Sequence, residues 1–223
     1  MQLHHLIDHT LLKPTALLSE IHQLCQEAAA YQFASVCVPP PFVKMASEKL
    51  SGTNVKVVTV VGFPFGYSAV EAKVAETVLA LVDGADELDI VASILAIKNH
   101  DWTYIANEIN HLLPIVRNKN RVIKIIIESG VLTEQEIVTC CDIYGAAGID
   151  FLKTSTGYAE KGATEEAVRL FRQHLPTQVK IKASGGIRTY EQALAMVLAG
   201  ADRLGCSASV SIVKGENPAA SNY

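Results

Sequence analysis

Residues 151–157 read Phe-Leu-Lys-Thr-Ser-Thr-Gly, and residues 179–186 read Val-Lys-Ile-Lys-Ala-Ser-Gly-Gly. Both stretches have the apolar and β-branched residues of a buried strand and end in small residues, yet each carries a lysine, Lys153 or Lys182. A buried ammonium group is costly unless it is paired or deprotonated, and proteins accept that cost mainly where an amine must react. The two strands therefore predict an amine nucleophile and a second lysine that tunes it.

The same kind of short strand recurs along the chain, and longer amphipathic segments lie between the strands. Strand-like runs rich in β-branched residues occupy 34–38, 55–62, 87–92, 122–128, 151–156, 179–183 and 203–207. Helix-like segments occupy 18–32, 69–83, 102–118, 134–145, 165–174 and 190–199. This alternation predicts a parallel sheet, because parallel strands need a crossover that returns the chain to the same edge.

Two closures of such a sheet fit the pattern, an open doubly wound sheet and a closed barrel of eight strands. The barrel needs one more strand, for which residues 6–10, Leu-Ile-Asp-His-Thr, are the candidate. Asp89, Glu128, Lys153 and Lys182 all lie near the carboxyl ends of strands, and in a barrel those ends meet at one mouth. We therefore predict a single (β/α)8 TIM-barrel domain over 1–223, with a short flexible tail from about residue 215.

Charged side chains are expected inside this barrel. Side chains alternate between the two faces of a strand, so residues two apart share a face. The sets that share a face in this way are Glu87 with Asp89, Lys124 with Glu128, and Phe151 with Lys153 and Ser155. Charged groups enclosed together must pair, and pairing both stabilises them and shifts their pKa values.

Composition excludes several classes of protein. Of the 223 residues, 49% are hydrophobic and 19% are charged, and the net charge is −4. These values argue against a disordered chain and against a nucleic-acid-binding protein. The first residues, Met-Gln-Leu-His-His, lack the features of a signal peptide, and no apolar run approaches the roughly 18 residues of a membrane span. We expect a cytoplasmic protein with no nucleic-acid or membrane partner.

The cysteines and histidines do not predict a metal site. Five cysteines are an odd number without CxxC spacing, which favours buried thiols over disulfides or metal ligands. The seven histidines do not cluster with acids or cysteines in the sequence. We therefore predict no metal and no other cofactor.

Two glycine-containing loops are candidates for binding a phosphate group. Gly185, Gly186 and Ile187 follow one strand, and residues 205–209, Gly-Cys-Ser-Ala-Ser, close the next. Glycine allows backbone N–H groups to approach an anion, and barrels often hold phosphate in the loops after their last two strands. Tight turns alone would also explain single glycines, but two such loops on consecutive strands favour a phosphate site.

Taken in order, these motifs resemble the deoxyribose-phosphate aldolase family over nearly the whole chain. The Lys-Thr-Ser-Thr-Gly run at 153–157 and the Lys-x-x-Gly-Gly-Ile-Arg-Thr run at 182–189 are the most specific features. The other matching segments are 8–14, 36–38, 60–66, 87–89 and 201–205.

The resemblance implies a class I aldolase that splits 2-deoxy-D-ribose 5-phosphate reversibly into acetaldehyde and D-glyceraldehyde 3-phosphate. It implies a Schiff base on Lys153, with Lys182 as the neighbouring cation, Asp89 as a proton relay through water and Asp8 completing the charged network. Tyr223, at the end of the tail, would assist proton transfer at C2. The residues implied to surround the phosphate are Gly157, Gly185, Gly186, Ile187 and Ser207. A homo-oligomer, dimer or tetramer, is also expected, and no metal is needed because the imine is the electron sink.

The chain departs from the family pattern at a few positions. Pro39 and the Ala92-Ser93 pair stand where relatives often have Asn, and Tyr158 stands where some have Lys. The first two bear on loop shape, whereas Tyr158 removes one cation from the substrate site.

Two other functions remain open from the sequence. The buried lysines could form plain salt bridges with Asp89 or Glu128 in a barrel that only binds a sugar phosphate. Alternatively, the chain could be a Schiff-base aldolase of the transaldolase kind that acts on another sugar phosphate. Turnover of deoxyribose phosphate separates these readings.

Overall fold

A closed barrel of parallel strands forms the centre of the protein, in a computed structural model that describes residues 1–216. Neighbouring strands pair in chain order, and the first also pairs with the last, which closes the barrel. The barrel confirms the predicted fold and excludes the open sheet. The strands are β1 (Ile7–Thr10), β2 (Ser35–Val38), β3 (Lys56–Val61), β4 (Glu87–Val91), β5 (Val122–Ile126), β6 (Phe151–Lys153), β7 (Lys180–Ser184) and β8 (Arg203–Cys206).

Helices surround the barrel and connect its strands. All six predicted helices are present, with ends within two residues of those expected. Three further helices of only 7, 5 and 6 residues were not predicted, because so short a segment shows no clear helical period. The α-helices of residues 1–216 are α1 (Leu18–Tyr31), α2 (Val43–Lys49), α3 (Val70–Val82), α4 (Ile94–Lys98), α5 (Trp102–Arg117), α6 (Glu134–Ala147), α7 (Glu165–His174), α8 (Tyr190–Ala199) and α9 (Ser209–Lys214).

Threonine caps determine where the loops at the mouth end. The hydroxyl groups of Thr133, Thr164 and Thr189 each accept a backbone N–H from three residues further on, at 3.2, 3.1 and 3.3 Å. These bonds satisfy N–H groups that have no partner within the first turn of a helix. The loops after β5, β6 and β7 therefore leave the barrel and enter α6, α7 and α8 at defined points.

Two of the strands end two or more residues earlier than predicted. β5 stops at Ile126 and β6 at Lys153, but the chain beyond them stays paired across the mouth. The N–H of Ile127 donates to the carbonyl of Lys153 at 3.2 Å, and the N–H of Ser129 donates to the carbonyl of Thr154 at 2.8 Å. Residues 127–129 and 153–156 are thus held beside each other just above the sheet.

The apolar core lies mainly between the barrel and the helices, where the outward-facing strand residues pack. Inside the barrel, a smaller apolar cluster of Leu12, Cys37, Val58 and Val60 packs against Phe63 on the side of β2 and β3. The charged side chains of the interior come from β1 and from β4 to β8. The barrel interior is therefore divided into an apolar side and a charged side.

Two further expectations bear on the fold. All five cysteines are free and buried, which confirms the prediction of buried thiols. Within residues 1–216, the helices are too short or too polar to cross a bilayer.

Gly66 provides a test of how tightly the loop after β3 packs. It has a φ of +71°, and an added Cβ would lie 1.9 Å from the carbonyl oxygen of Ala92. Gly148 has a similar φ of +72° but open space around it. We expect Gly148→Ala to lower the free energy of unfolding by about 1 kcal/mol, through backbone strain alone. Gly66→Ala should cost at least about 2 kcal/mol more in urea denaturation; equal losses would show that the loop moves aside freely.

Candidate active site

Two lysines and an aspartate meet inside the barrel near its mouth. The parallel register of β6 and β7 sets Lys153 beside Lys182. Lys153 Nζ donates to Asp89 Oδ2 at 2.8 Å, and Lys182 Nζ donates to the same oxygen at 2.7 Å. Lys153 is 3% exposed and the other two are fully buried. The structure thus brings together the three residues expected to act in the site.

Asp8, from β1, anchors the second lysine. Lys182 Nζ donates a short hydrogen bond to Asp8 Oδ2. The other oxygen, Asp8 Oδ1, accepts from Ser35 Oγ at 2.6 Å and from Arg203 Nη1 at 2.6 Å. Lys182 is therefore held between two carboxylates, Asp8 and Asp89, whereas Lys153 contacts Asp89 only.

A lower layer of charges supports this group. Lys124 Nζ lies 2.6 Å from Glu87 Oε2 and 2.9 Å from Asp89 Oδ1. Arg203 Nη1 lies 3.4 Å from the same Glu87 oxygen. The ring of Phe151 lies 5.9 Å from Lys124 Nζ and 5.5 Å from the Arg203 guanidinium, distances typical of cation–π contacts.

Counting the charges in this network singles out one lysine. Four basic groups and three carboxylates are joined by ion pairs, so the bases exceed the acids by one. Lys124, Lys182 and Arg203 each contact two carboxylates, but Lys153 contacts one. Loss of a proton from Lys153 would leave three cations facing three anions. Lys153 is therefore the base in the network that loses its proton most readily.

The pKa values follow the same logic. Burial lowers the pKa of Lys153 below that of an ordinary lysine, and the Lys182 cation adds to this effect against the pull of Asp89. Burial also disfavours the charged form of Lys182, but Asp8 and Asp89 outweigh it and raise the pKa of Lys182. Burial would raise the pKa of Asp89, yet three neighbouring lysines hold it well below its usual value. The pKa values of the two lysines are therefore shifted in opposite directions, so Lys153 loses its proton at a lower pH than Lys182 does.

A cavity of about 100 Å³ opens above Lys153 at the barrel mouth. Gly185 is tightly enclosed, since an added Cβ would lie 3.0 Å from Gly162 Cα and 3.3 Å from Gly157 Cα. Gly186 has a φ of +81° and open space where a side chain would stand. The cavity is lined by Lys153 and by all five residues expected around a phosphate, Gly157, Gly185, Gly186, Ile187 and Ser207.

Comparison with known proteins agrees with this arrangement. Residues 3–211 match the family described as DeoC/LacD family aldolase. The chain belongs to this family. A deoxyribose-phosphate aldolase from Thermococcus gammatolerans is 49% identical over 211 residues, 94% of each chain. One from Streptococcus gordonii is 46% identical over 223 residues, the whole of both chains. The tetrameric deoxyribose phosphate aldolase from Aeropyrum pernix superposes with a TM-score of 0.88 at 31% identity, covering 95% of this chain and 89% of that one.

In this member of the DeoC/LacD aldolase family, several site residues were missed by sequence reasoning. Lys124 was placed on an inward face, but its role was not assigned. Glu87 was likewise placed without a role, and Arg203 and Ser35 were not singled out at all. For Glu87 and Arg203 the signal was weak, because a charged residue at the first position of a strand is typical of a strand boundary. Among the other cavity-lining residues, Thr10, Leu12, Thr156, Ser184, Arg188 and Gly205 had no assigned role either.

Glu128 does not form the ion pair considered for it. Its carboxylate instead accepts the backbone N–H of Thr156, at 3.2 Å to Oε2, and a short hydrogen bond from the Thr156 hydroxyl. Glu128 lies after the end of β5, so the chain has already turned away from the lysines. Of the two acids considered as partners, Asp89 is the one that pairs with Lys153 and Lys182.

The role of Tyr223 and the metal-free reaction both stay predictions. Tyr223 lies outside the described residues. Within residues 1–216, no three His, Cys, Asp or Glu side chains form a cluster suited to a metal ion.

Lys124→Met tests the lower layer of charges. It leaves Glu87 and Asp89 without the cation they share, so we expect a loss of about 3–5 kcal/mol of stability at neutral pH. The pKa of Asp89 is depressed in the folded protein, so its stabilising contribution is present above the unfolded value of 3.8 and is lost only as the pH falls below 3.8 and through the folded value. The difference in unfolding free energy between wild type and variant should therefore persist down to about pH 4 and narrow below it in denaturant titrations.

Lys180→Met is the matched control for that experiment. Lys180 is exposed, and its Nζ lies 5.7 Å from the same Phe151 ring, so its loss should cost about 1 kcal/mol or less. Similar losses in both variants would show that the buried ion pairs contribute little.

Proposed function

We propose that the chain is a class I aldolase that cleaves 2-deoxy-D-ribose 5-phosphate reversibly into acetaldehyde and D-glyceraldehyde 3-phosphate. The observation that carries the proposal is a buried, cavity-lining lysine, Lys153, which is the one excess cation in an otherwise balanced network of ion pairs. The names of the relatives supply the substrate. The reaction needs no metal, because a protonated imine replaces a Lewis acid as the electron sink.

Lys153 is the nucleophile in this proposal. An ordinary lysine, with a pKa of about 10.4, is almost entirely protonated at neutral pH and cannot attack a carbonyl. The lowered pKa of Lys153 favours its unprotonated amine, and in the proposed reaction that amine adds to C1 of the substrate and expels water to form the imine. Lys182 is bound by two carboxylates and stays charged, so it acts by keeping the Lys153 amine deprotonated.

Bond cleavage then requires two proton movements. The C3 hydroxyl loses its proton, the C2–C3 bond breaks, and its electron pair moves into the protonated imine to give an enamine on Lys153. Glyceraldehyde 3-phosphate leaves, a proton is added at C2, and water hydrolyses the acetaldehyde imine. Asp89, ionised between lysines, positions the water that carries these protons, work that is typically worth about 10² to 10⁴ in rate. Asp8 keeps Lys182 in place.

The phosphate group is assigned to the glycine loops. Gly157, Gly185, Gly186, Ile187 and Ser207 line the same cavity as Lys153, so one substrate can span both. Backbone N–H groups there would bind the anion at close range. Tyr223 is proposed to assist proton transfer at C2, as in the resembled family.

The proposal also covers the oligomeric state, the cell compartment and the ligands. We propose a homo-oligomer, because α3 exposes Val78, Leu79 and Val82 at 45, 61 and 75% and the Aeropyrum pernix relative is described as tetrameric. Five reduced, buried cysteines suit the cytoplasm. The ligands are sugar phosphate and aldehydes, and no cofactor, nucleic acid or membrane partner is proposed.

Imine trapping tests the proposed nucleophile. Acetaldehyde followed by borohydride should add a two-carbon unit to the peptide that carries Lys153, as read by mass spectrometry, because only an imine is reduced to a stable amine. Lys153→Ala should lose both the label and turnover of deoxyribose 5-phosphate. Label found on Lys182 alone would reverse the two roles. A wild-type protein with neither label nor turnover would be a binding barrel, and one that is labelled without cleaving deoxyribose 5-phosphate would be an aldolase for another sugar phosphate.

Lys182→Leu is the companion variant. Removing this cation raises the pKa of Lys153, so trapping and turnover should need a higher pH than in wild type. Lys182→Arg should keep part of the effect, although arginine differs in shape. An unchanged pH profile in Lys182→Leu would contradict the role of its charge.

Gly186→Val tests the phosphate loop. The new side chain would stand in the cavity, so KM for deoxyribose 5-phosphate should rise at least about tenfold, the loss of a charge-assisted hydrogen bond. Unphosphorylated deoxyribose should be handled nearly as before. Gly148→Val is the control, since Gly148 has a similar φ and open space far from the cavity. Equal losses on both substrates would point to a folding defect.

A further inference from the structure

Glu128 adopts a backbone conformation that is costly for its residue type. Its φ and ψ are 54° and 57°, in the left-handed region that favours glycine. Within residues 1–216, Gln32, His100 and Asn120 are the other residues besides glycine with positive φ, and all three are exposed. Glu128 is 3% exposed. Such a strained conformation persists only where the surrounding structure holds it in place, and it is frequent at functional sites.

Glu128 contacts Thr156 through its carboxylate. Its Oε2 accepts both the N–H and the hydroxyl of Thr156. Thr156 is 8% exposed and lines the cavity together with Lys153 and Gly157. The strained backbone at Glu128 therefore directs its carboxylate toward Thr156, and Thr156 in turn lines the substrate cavity.

These contacts determine what the Thr156 hydroxyl can do. A hydroxyl has one proton to donate and two lone pairs to accept with. The proton is committed to Glu128, and one lone pair accepts the backbone N–H of Tyr158 at 3.0 Å. One lone pair remains for the cavity. Thr156 can therefore accept a hydrogen bond from a bound molecule, but it cannot donate one.

The position of Thr156 indicates which hydroxyl group of the substrate it would contact. In the chain it lies between Lys153, which holds C1 in the proposed reaction, and Gly157, at the phosphate end, and all three residues line one cavity. Two hydroxyl groups lie between C1 and the phosphate of the substrate. The C3 hydroxyl gives up its proton when the C2–C3 bond breaks, so only the C4 hydroxyl stays a donor throughout.

We propose that Glu128 is a positioning residue that fixes the Thr156 hydroxyl as an acceptor for the C4 hydroxyl of the substrate. This inference rests on the proposed function, because it takes the substrate and the imine on Lys153 from it. The C4 hydroxyl becomes the hydroxyl at C2 of glyceraldehyde 3-phosphate, the stereocentre that distinguishes its D and L forms. The Glu128–Thr156 pair thus sets the choice of acceptor enantiomer in the direction of synthesis.

The test measures kcat/KM for addition of acetaldehyde to D- and to L-glyceraldehyde 3-phosphate at pH 8. Glu128→Gly removes the carboxylate and suits the backbone, so the variant is expected to fold. Its D-to-L ratio should fall by about tenfold, the value of one hydrogen bond. Thr156→Val should show the same fall, and Thr156→Ser should keep the wild-type ratio because it keeps the hydroxyl.

Three controls separate this role from a general loss of structure. Gln32→Gly changes a residue with the same φ of 54°, exposed at the end of α1, and should leave the ratio unchanged. The acceptor 3-oxopropyl phosphate has no hydroxyl at C2, so on this acceptor Glu128→Gly and Thr156→Val should lose much less kcat/KM, relative to wild type, than they lose on D-glyceraldehyde 3-phosphate. Imine trapping at Lys153 should also persist in both variants.

Failure of this inference can be distinguished from failure of the proposed function. If wild type neither cleaves nor makes deoxyribose 5-phosphate, the proposed function fails and this inference falls with it. If wild type is active but the D-to-L ratio is unchanged in Glu128→Gly, only the role of Glu128 is refuted. A ratio lost equally in Thr156→Ser and Thr156→Val would show that the shape of Thr156, and not its hydroxyl, selects the substrate.

Discussion

The carboxylate of Asp89 accepts hydrogen bonds from three lysines inside the barrel, and the rest of the site depends on that arrangement. A charge enclosed by protein is costly unless it is matched closely, so every group in the network must be held in register with its partners. The closed barrel provides this register, because neighbouring strands set Lys124 beside Phe151, Lys153 beside Lys182, and Asp8 beside Gly205. A shift of one residue in any of these pairings would turn a charged side chain outward.

The network also explains how two buried lysines acquire different properties. Both are enclosed to nearly the same extent, so burial alone would lower both pKa values. The difference comes from the number of carboxylates each one contacts: two for Lys182 and one for Lys153. Asp8, itself held by Ser35 and Arg203, therefore influences the reactive amine without touching it.

Stability and chemistry are assigned to different parts of the same strands. The outward faces of the strands pack against the helices, where the core is apolar and continuous. The inward faces carry the charges on one side of the barrel and the apolar cluster around Cys37 and Val60 on the other. Above the sheet, the chain after β5 and β6 stays paired across the mouth, which holds Glu128 and Thr156 together. Strain at Glu128 is supported by this pairing, since neither segment can relax without breaking hydrogen bonds to the other.

By itself, the sequence determined the barrel, the helices longer than two turns, and the residues at the strand ends that gather around the cavity. It could do so because the spacing of apolar residues along the chain distinguishes strands from helices. In a parallel barrel, the carboxyl ends of all strands then lie at the same mouth. The short helices α2, α4 and α9 lack a readable period, so they escaped prediction. Only the tertiary structure decided that Lys124, Glu87 and Arg203 complete the charge balance, that Asp89 pairs with the lysines, and that Glu128 turns to Thr156. Those outcomes depend on distances between side chains from different strands, and such distances exist only once the barrel has closed.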